Sequence, residues 1–440
     1  MISKVEVQGY RLLDGFEADL GPLTVVIGAN ATGKSTLEDL LSFVCQATSQ
    51  PINTVLKWRG GMHSVLTAGR AVPSMGWRIT FTRPTTNPVW ASLPIEEDAE
   101  LVYEASLAPV YGFYGAVPEY EALGYARPRS GHASPFKFLE YRNGVGRVFD
   151  FETHKFIDFS EHLAEEPDLF SSLEQEGAPP EKPANGELKS MFEAASEGPS
   201  LLLAQIRYPQ RFLQASLLRM FFASWAFYPG FRVDENSPVR LQPGDVEPVT
   251  MLWPRGENLA TVLHEILTRH ESRDAAESLR DWLRAAYPDF EQISAETVPG
   301  TKGKVAIRWH EKGIARPLDT WDLSDGILRF LCLAAVLNNP RPSPLVAIEE
   351  PEVGLHPKLL PIVADMLKAA AEQTQVLVTT HSPDLLDCFA LEDVAVMLRE
   401  DNRVHWHRPA SRPTLRKLLE SVKGETLGEM HRTGELEAGA

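Results

Sequence analysis

"LTVVIGANATGKSTLEDLL", residues 23–41, decides the fold. Leu23 to Ile27 read as a buried strand, Gly28 to Ser35 ("GANATGKS") fit the pattern GxxxxGK[ST], and the residues after Ser35 have helical spacing. A glycine-rich turn between a strand and a helix leaves backbone N–H groups pointing inward, where they can wrap phosphate oxygens at the positive end of the helix dipole. In that setting Lys34 would reach the β and γ phosphates of a nucleotide and Ser35 would ligate Mg²⁺. A chance glycine turn would lack the flanking strand and helix.

A phosphate loop needs a distant acid for its metal, and "LVAIEEPEVGLHP", residues 345–357, offers two at the end of a second apolar strand. Taken alone, the segment is a strand stopped by charge and by Pro351. With a phosphate loop upstream, Glu349 would bind Mg²⁺ and Glu350 would orient and deprotonate an attacking water. This reading places the second strand directly beside the first. Between the two lies "WDLSDGILRFLCLAAVL", residues 321–337, in which Ser324 caps a long apolar helix whose N-terminus is also an anion site. In "VLVTTHSPDLL", residues 376–386, His381 follows a third apolar strand. A lone histidine there is more often structural, but it adds a polar side chain to the same sheet edge.

Composition narrows the class. A chain of 440 residues with 43 % apolar and 23 % charged residues is ordinary for a globular protein with a sizeable core. No stretch reaches the apolar length of a membrane span and the start lacks a signal-peptide core, so a cytoplasmic location without membrane partners is expected. Cys45, Cys332 and Cys388 are isolated among apolar neighbours and suit core residues. The net charge of −17 argues against a protein that coats nucleic acid, though a confined basic surface remains compatible with it.

Along the chain, "SKVEVQGYRLL" (3–13) reads as a strand and turn, and residues 76–157 as a mostly antiparallel sheet with a hairpin at "RNGVG" (142–146). Residues 160–199 look like an exposed linker. Residues 201–227 have a helical pattern, followed by a helical pair (257–272 and 275–288) and a strand at "KVAIRWHE" (304–311). From Asp322 onward helices and strands alternate again, and the tail after residue 420 reads as a disordered end or a docking segment.

The order of phosphate loop, LSDG, "EEPEVGLHP" and "TTHSP" resembles the ABC-type ATPase heads of the RecF, SMC and OLD-like AAA group. The resemblance covers most of residues 1–84 and 315–400, and "KWRGG" (57–61) and "ENLATVLHEIL" (257–267) weakly. It implies an α/β P-loop NTPase of ABC-ATPase type, with an inserted, mostly antiparallel β region and a helical lobe. The expected division is 1–84 (first part of the head), 85–314 (insertion) and 315–440 (second part). ATP and Mg²⁺ are the implied cofactors. Arg11 matches a basic residue near the nucleotide, and Asn30, Ala31, Thr32, Gly33, Lys34, Ser35 and Thr36 match the phosphate-binding loop. Ser324 and Gly326 match the signature segment that caps the γ phosphate held by the opposite subunit, Glu350 the catalytic glutamate, His381 the switch histidine, and Gly354 to Pro357 a loop at the dimer interface.

Departures from the pattern bear on rate and coupling. Glu349 stands where aspartate is commoner, Asp325 replaces a glycine of the transporter signature, and no glutamine lies between Gln50 and Gln175 to serve as a Q-loop. The resemblance implies an ATP-dependent homodimer in DNA repair, DNA-end sensing or antiphage defence, with DNA or a separately encoded nuclease or toxin as partner. A protein-sensing regulatory ATPase without DNA is the alternative. A transporter motor is disfavoured by the long β insertion, and a nuclease of its own by the short stretch after His381, which has no DxD pair. "HEILTRH" fails as a zinc-protease motif because Thr268 stands at the second histidine position, and "NAT" at Asn30 lies inside the phosphate loop.

Overall fold

The computed structural model describes residues 1–69, 74–82, 99–110, 114–129, 131–142, 144–158, 199–206, 209–241, 243–401, 403–419 and 426–437. The expected linker at 160–199, except its last residue, and Asn143 of the "RNGVG" hairpin lie outside these.

The chain forms β1 (Ile2–Gln8), β2 (Phe16–Asp19), β3 (Leu23–Ile27), β4 (Met75–Phe81), β5 (Leu101–Pro109), β6 (Ala116–Tyr125), β7 (Lys137–Arg142), β8 (Val145–Asp150) and β9 (Lys155–Asp158) in its first part. Then come β10 (Ala226–Tyr228), β11 (Gly244–Asp245), β12 (Phe290–Thr297), β13 (Lys304–Glu311), β14 (Leu345–Glu349), β15 (Gln375–Thr379), β16 (Val394–Glu400) and β17 (Arg403–His407). The helices used below are α1 (Lys34–Ala47), α2 (Leu213–Ala223), α3 (Leu259–Thr268), α4 (Arg273–Ala286), α5 (Asp325–Leu337), α6 (Leu360–Ala371) and α7 (Leu427–Thr433).

The nucleotide-type sheet has the order β10-β14-β15-β3-β16-β17, parallel except for the β16–β17 pair. The strand bearing Glu349 is therefore not beside β3, as the sequence suggested; β15, which leads to His381, lies between them. Parallel strands are joined by crossovers rather than tight turns, so after β14 the chain passes through α6 and is free to insert its next strand against β3. Register then levels the strand ends: Glu349 is opposite Thr379, and Thr379 is opposite Val26, two residues before Gly28.

Alternation along these strands feeds two cores. Val26, Leu345, Ala347 and Leu377 face the core that includes Leu37, Leu40, Leu41 and Val44 of α1. Val25, Ile27, Val346, Ile348, Val376 and Val378 face the other, with Leu328 and Leu331 of α5 and Val363 and Leu367 of α6. Both faces are covered, so the strands are nearly continuous runs of β-branched and aliphatic residues.

The first core is closed by an eight-stranded antiparallel sheet, β2-β1-β4-β5-β6-β7-β8-β9. It runs from the first strand of the chain to β9 across residue 84. Its inward face meets α1 directly: the rings of Phe43 and Trp77 stand 5.8 Å apart, edge to face. The helical lobe comprises α3 and α4 against the three-stranded sheet β11-β13-β12.

Two local readings need correction. The helical pattern at 201–227 is not one helix: a single turn, Leu202–Gln205, ends at an extended Ile206, α2 covers Leu213–Ala223, and "AF" of "WAF" begins β10 beside β14. Apolar residues on more than one face suited a buried strand end as well as a helix. The tail is not wholly disordered either. Thr426 and Glu429 form a reciprocal capping box at α7, Leu427, Met430 and Leu436 are buried, and the Gly428 N–H donates to Asp387.

Candidate functional site

The phosphate loop is built by backbone conformations that few side chains tolerate. Gly28 has φ 147°, Ala31 61° and Gly33 107°, and Gly33 starts α1 with no side-chain cap. The first N–H groups of a 14-residue helix are thus left for a ligand rather than for Ser, Thr or Asp. Asn30, Ala31 and Ser35 are exposed at the mouth, Thr36 is half-buried, and Thr32, Gly33 and Lys34 are buried. Thr32 Oγ1 donates to the Ala29 carbonyl at 2.9 Å. Lys34 folds into the loop, its Nζ donating to the carbonyls of Gly28 (2.6 Å) and Ala29 (3.0 Å). Burial lowers the Lys34 pKa, and the Glu350 carboxylate counters that shift.

Glu350 and His381 meet at the level strand ends. Glu350 Oε1 lies 3.9 Å from His381 Nε2, both partly exposed. The Glu350 backbone is in the left-handed region, φ 44°, fixed by its N–H to the Thr379 carbonyl (2.9 Å) and its carbonyl to the Val353 N–H (3.0 Å). Such a conformation costs of order 1–3 kcal/mol in a non-glycine residue and is held by its surroundings. Burial, and then the Lys34 charge, lower the pKa of His381, so the neutral ring is favoured. Glu352, to which the sequence reading gave no role, accepts from Thr380 Oγ1 (2.6 Å) and from the His381 N–H (3.2 Å). It ties the turn after β14 to the turn after β15. The three glutamates of "EEPE" thus face three ways.

Ser324 caps α5 as expected, accepting from the Ile327 N–H. Its neighbourhood is the "GLHP" loop: a Cβ on Gly326 would meet the Gly354 carbonyl at 3.4 Å. The turn is clamped by Arg240, which is buried and donates to the carbonyls of Val233 (2.7 Å), Thr320 (2.9 Å) and Leu323 (2.7 Å) and to the Asp325 carboxylate. Arg240 lies more than eighty residues away in sequence, with no motif around it. Arg11 is paired with Asp39 in the second turn of α1 at 3.0 Å, where Arg59 (2.9 Å) and Tyr10 (2.6 Å) also converge. A cleft of about 180 Å³ opens on the β10 side of β14, lined by Tyr228, Phe231, Arg329, Leu333, Glu349 and Glu350.

The family model described as "AAA domain, putative AbiEii toxin, Type IV TA system" matches residues 144–387, more than half of the chain. The chain belongs to this AAA family. A second model, "AAA ATPase domain", matches residues 1–68. Among solved structures, the chain is similar to an SMC head bound to the C-winged helix domain of ScpA, at 13 % identity over 92 % of this chain and 97 % of that one, with a TM-score of 0.51. An SMC head domain with an extended coiled coil from Pyrococcus furiosus, bound to the C-terminal domain of ScpA, matches at 14 % identity over 96 % and 99 %, TM-score 0.48. The first likeness shows the fold: this member of the AAA family has the fold of an SMC head. No curated protein matches it.

AAA ATPases of this sort bind ATP, typically with Mg²⁺, and the side chains present fit that ion. Ser35 and Glu349 offer oxygen donors, which suit a hard cation. Beside them is a residue the sequence reading passed over. Glu38, three residues after Ser35 in α1, is buried against Glu349, and its Oε1 has no hydrogen-bond partner. Burial, and then Glu349, push its pKa well above the usual carboxylate range. Its spacing could have revealed it, since i and i+4 share a helix face and Glu38 follows Lys34 by four. No group of three or more His, Cys, Asp or Glu forms a protein-only metal cage among the described residues. Mg²⁺ in nucleotide sites needs none, because phosphates and waters complete its shell.

Replacing Arg240 by Ala leaves two carbonyls at the signature turn, Thr320 and Leu323, and that of Val233 without their donor. We expect a loss of about 2–3 kcal/mol, read as a lowered denaturant midpoint at unchanged slope, and weaker nucleotide-dependent self-association. Unaltered stability would remove Arg240 as the clamp.

Proposed function

We propose that this AAA ATPase binds ATP with Mg²⁺ at Asn30 to Thr36 and hydrolyses it, two copies closing on two nucleotides. The observation that carries the reading is the convergence of Lys34, Glu350 and His381 at the level ends of β3, β14 and β15, beside an uncapped helix N-terminus. On arrival of the triphosphate, Lys34 would release the Gly28 and Ala29 carbonyls and donate to the β and γ phosphates. Glu350, the one carboxylate here with an open flank, would take the proton of the attacking water. His381, kept neutral, would donate a ring N–H toward the γ phosphate without adding a charge beside Lys34. Mg²⁺, when bound at Ser35 and Glu349, neutralises phosphate charge. Arg11 would serve the nucleotide only by leaving Asp39.

Ser324 and Gly326 sit with the "GLHP" loop, on a different element from the phosphate loop. This supports their proposed role in capping a nucleotide held by a second copy. Within this scheme we retain the division at residues 84 and 314, and propose that closure of the heads acts on DNA in repair, end sensing or antiphage defence, through a separately encoded effector. Among the described residues no helix is long and apolar enough to cross a membrane, and we propose a cytoplasmic location.

The test is ATP hydrolysis with and without duplex and single-stranded DNA at two salt concentrations. Stimulation that fades with salt supports the DNA reading. Hydrolysis indifferent to DNA favours a protein-sensing ATPase that holds a toxin or nuclease, and no hydrolysis at all overturns both.

A further inference from the structure

Apart from Glu38, the buried carboxylates among the described residues have donors. Glu121 receives Tyr103 Oη and the N–H groups of Leu202 and Leu203, and Glu265 pairs with Arg269 and Arg341. Glu38 differs in that its one polar partner is another carboxyl group. It is buried in α1, its carboxyl lies against that of Glu349, and its Oε1 faces no donor. Among the described residues no Lys, Arg or His pairs with either side chain; the two carboxyl groups hydrogen-bond to each other, which takes one proton held between them, and no cation faces the free Oε1 of Glu38. Carboxylates taken out of water in this way need a partner cation or a proton held between them. The missing charge falls at a defined place: Glu38 stands three residues beyond Ser35 and four beyond Lys34 on one helix, and Glu349 ends β14.

We propose that Glu38 is a further carboxylate of the divalent-metal site, acting with Glu349 and Ser35 on the cation that accompanies the nucleotide. The inference rests on the ATP reading above and deepens it. Where a single acid at the end of β14 would hold the ion, this chain has two, one from the strand and one from the helix. The helix carboxylate is locked by burial and cannot swing to solvent. Its orphan oxygen either ligates the cation or receives a proton of its water shell. Either way Glu38 contributes charge and direction that the longer reach of Glu349 alone leaves slack.

The experiment is Mn²⁺ binding, followed by electron paramagnetic resonance, to the full chain with a non-hydrolysable ATP analogue. Wild type is compared with Glu38→Gln, Glu38→Asp and Ser35→Ala. Glu38→Gln is expected to weaken Mn²⁺ roughly 10- to 100-fold, the range typical of losing a partner at a metal site, while binding of a fluorescent nucleotide in EDTA stays as in wild type. Glu38→Asp keeps the charge and should retain more affinity than Gln. Glu38→Gln keeps the size of the side chain and an N–H that can still donate to Glu349, so it should fold about as well as wild type, which thermal unfolding checks. Mn²⁺ affinity equal to wild type in Glu38→Gln, with Ser35→Ala still weakened, would overturn the role of Glu38 and leave the ATP reading standing. Failure of wild type itself to take up Mn²⁺ with nucleotide would overturn both.

Discussion

Glu350→Gln is expected to slow ATP hydrolysis roughly 10²- to 10⁴-fold, the span a positioned general base supplies, while ATP still binds. The amide keeps the size and the backbone position but cannot accept the water proton. Binding should survive because Lys34, not Glu350, holds the phosphate end, and removing the Glu350 charge beside Lys34 also removes a like-charged neighbour of the phosphates. The variant should therefore trap the nucleotide-bound state and, if two copies close on two nucleotides, accumulate as an ATP-dependent dimer by light scattering. A hydrolysis rate equal to wild type would dismiss Glu350 as the base, whatever the dimer does.

Among the described glycines, Gly28→Ala should be the most damaging single methyl. A Cβ there would stand 2.3 Å from the Met397 carbonyl oxygen of β16, at a φ of 147° that side chains rarely adopt. Neither backbone can move aside cheaply, because β3 and β16 are paired at Ile27 and Val396. We expect a loss of roughly 2–4 kcal/mol, combining backbone strain with a core clash, and a fall in nucleotide affinity as the loop opens. Gly15→Ala separates the two causes: its φ is 64° but nothing lies within 4 Å of its Cβ. It should cost about 1–2 kcal/mol, the left-handed penalty alone. Equal losses for the two variants would mean that contact with Met397 is not what fixes the loop.

What the sequence revealed depended on the range of the interaction. The phosphate loop, the Ser324 cap and His381 after a strand are local events, written in consecutive residues. Strand order is not local: nothing in "LVAIEE" says that β15 will come between it and β3, and the crossover through α6 decides that. Arg240 was invisible because its partners at Thr320, Leu323 and Asp325 are assembled by tertiary packing. Glu38 was legible in principle, but a glutamate in an amphipathic helix ordinarily reads as solvated. The ordered α7 was missed for the opposite reason. Its capping box, Thr426 with Glu429, stands in the sequence, yet the polar residues around it outweighed Leu427, Met430 and Leu436.

Because Val26 belongs to one hydrophobic core and Val25 and Ile27 to the other, β3 is a party wall, held from both sides. The antiparallel sheet shares the core on the Val26 side with α1. A tug on β4 or β5 by anything bound there would reach the floor of the phosphate loop through packed side chains alone, as a load passes through masonry. Whatever this protein grips, the grip would bear on the flank of α1 while the nucleotide sits at its N-terminus.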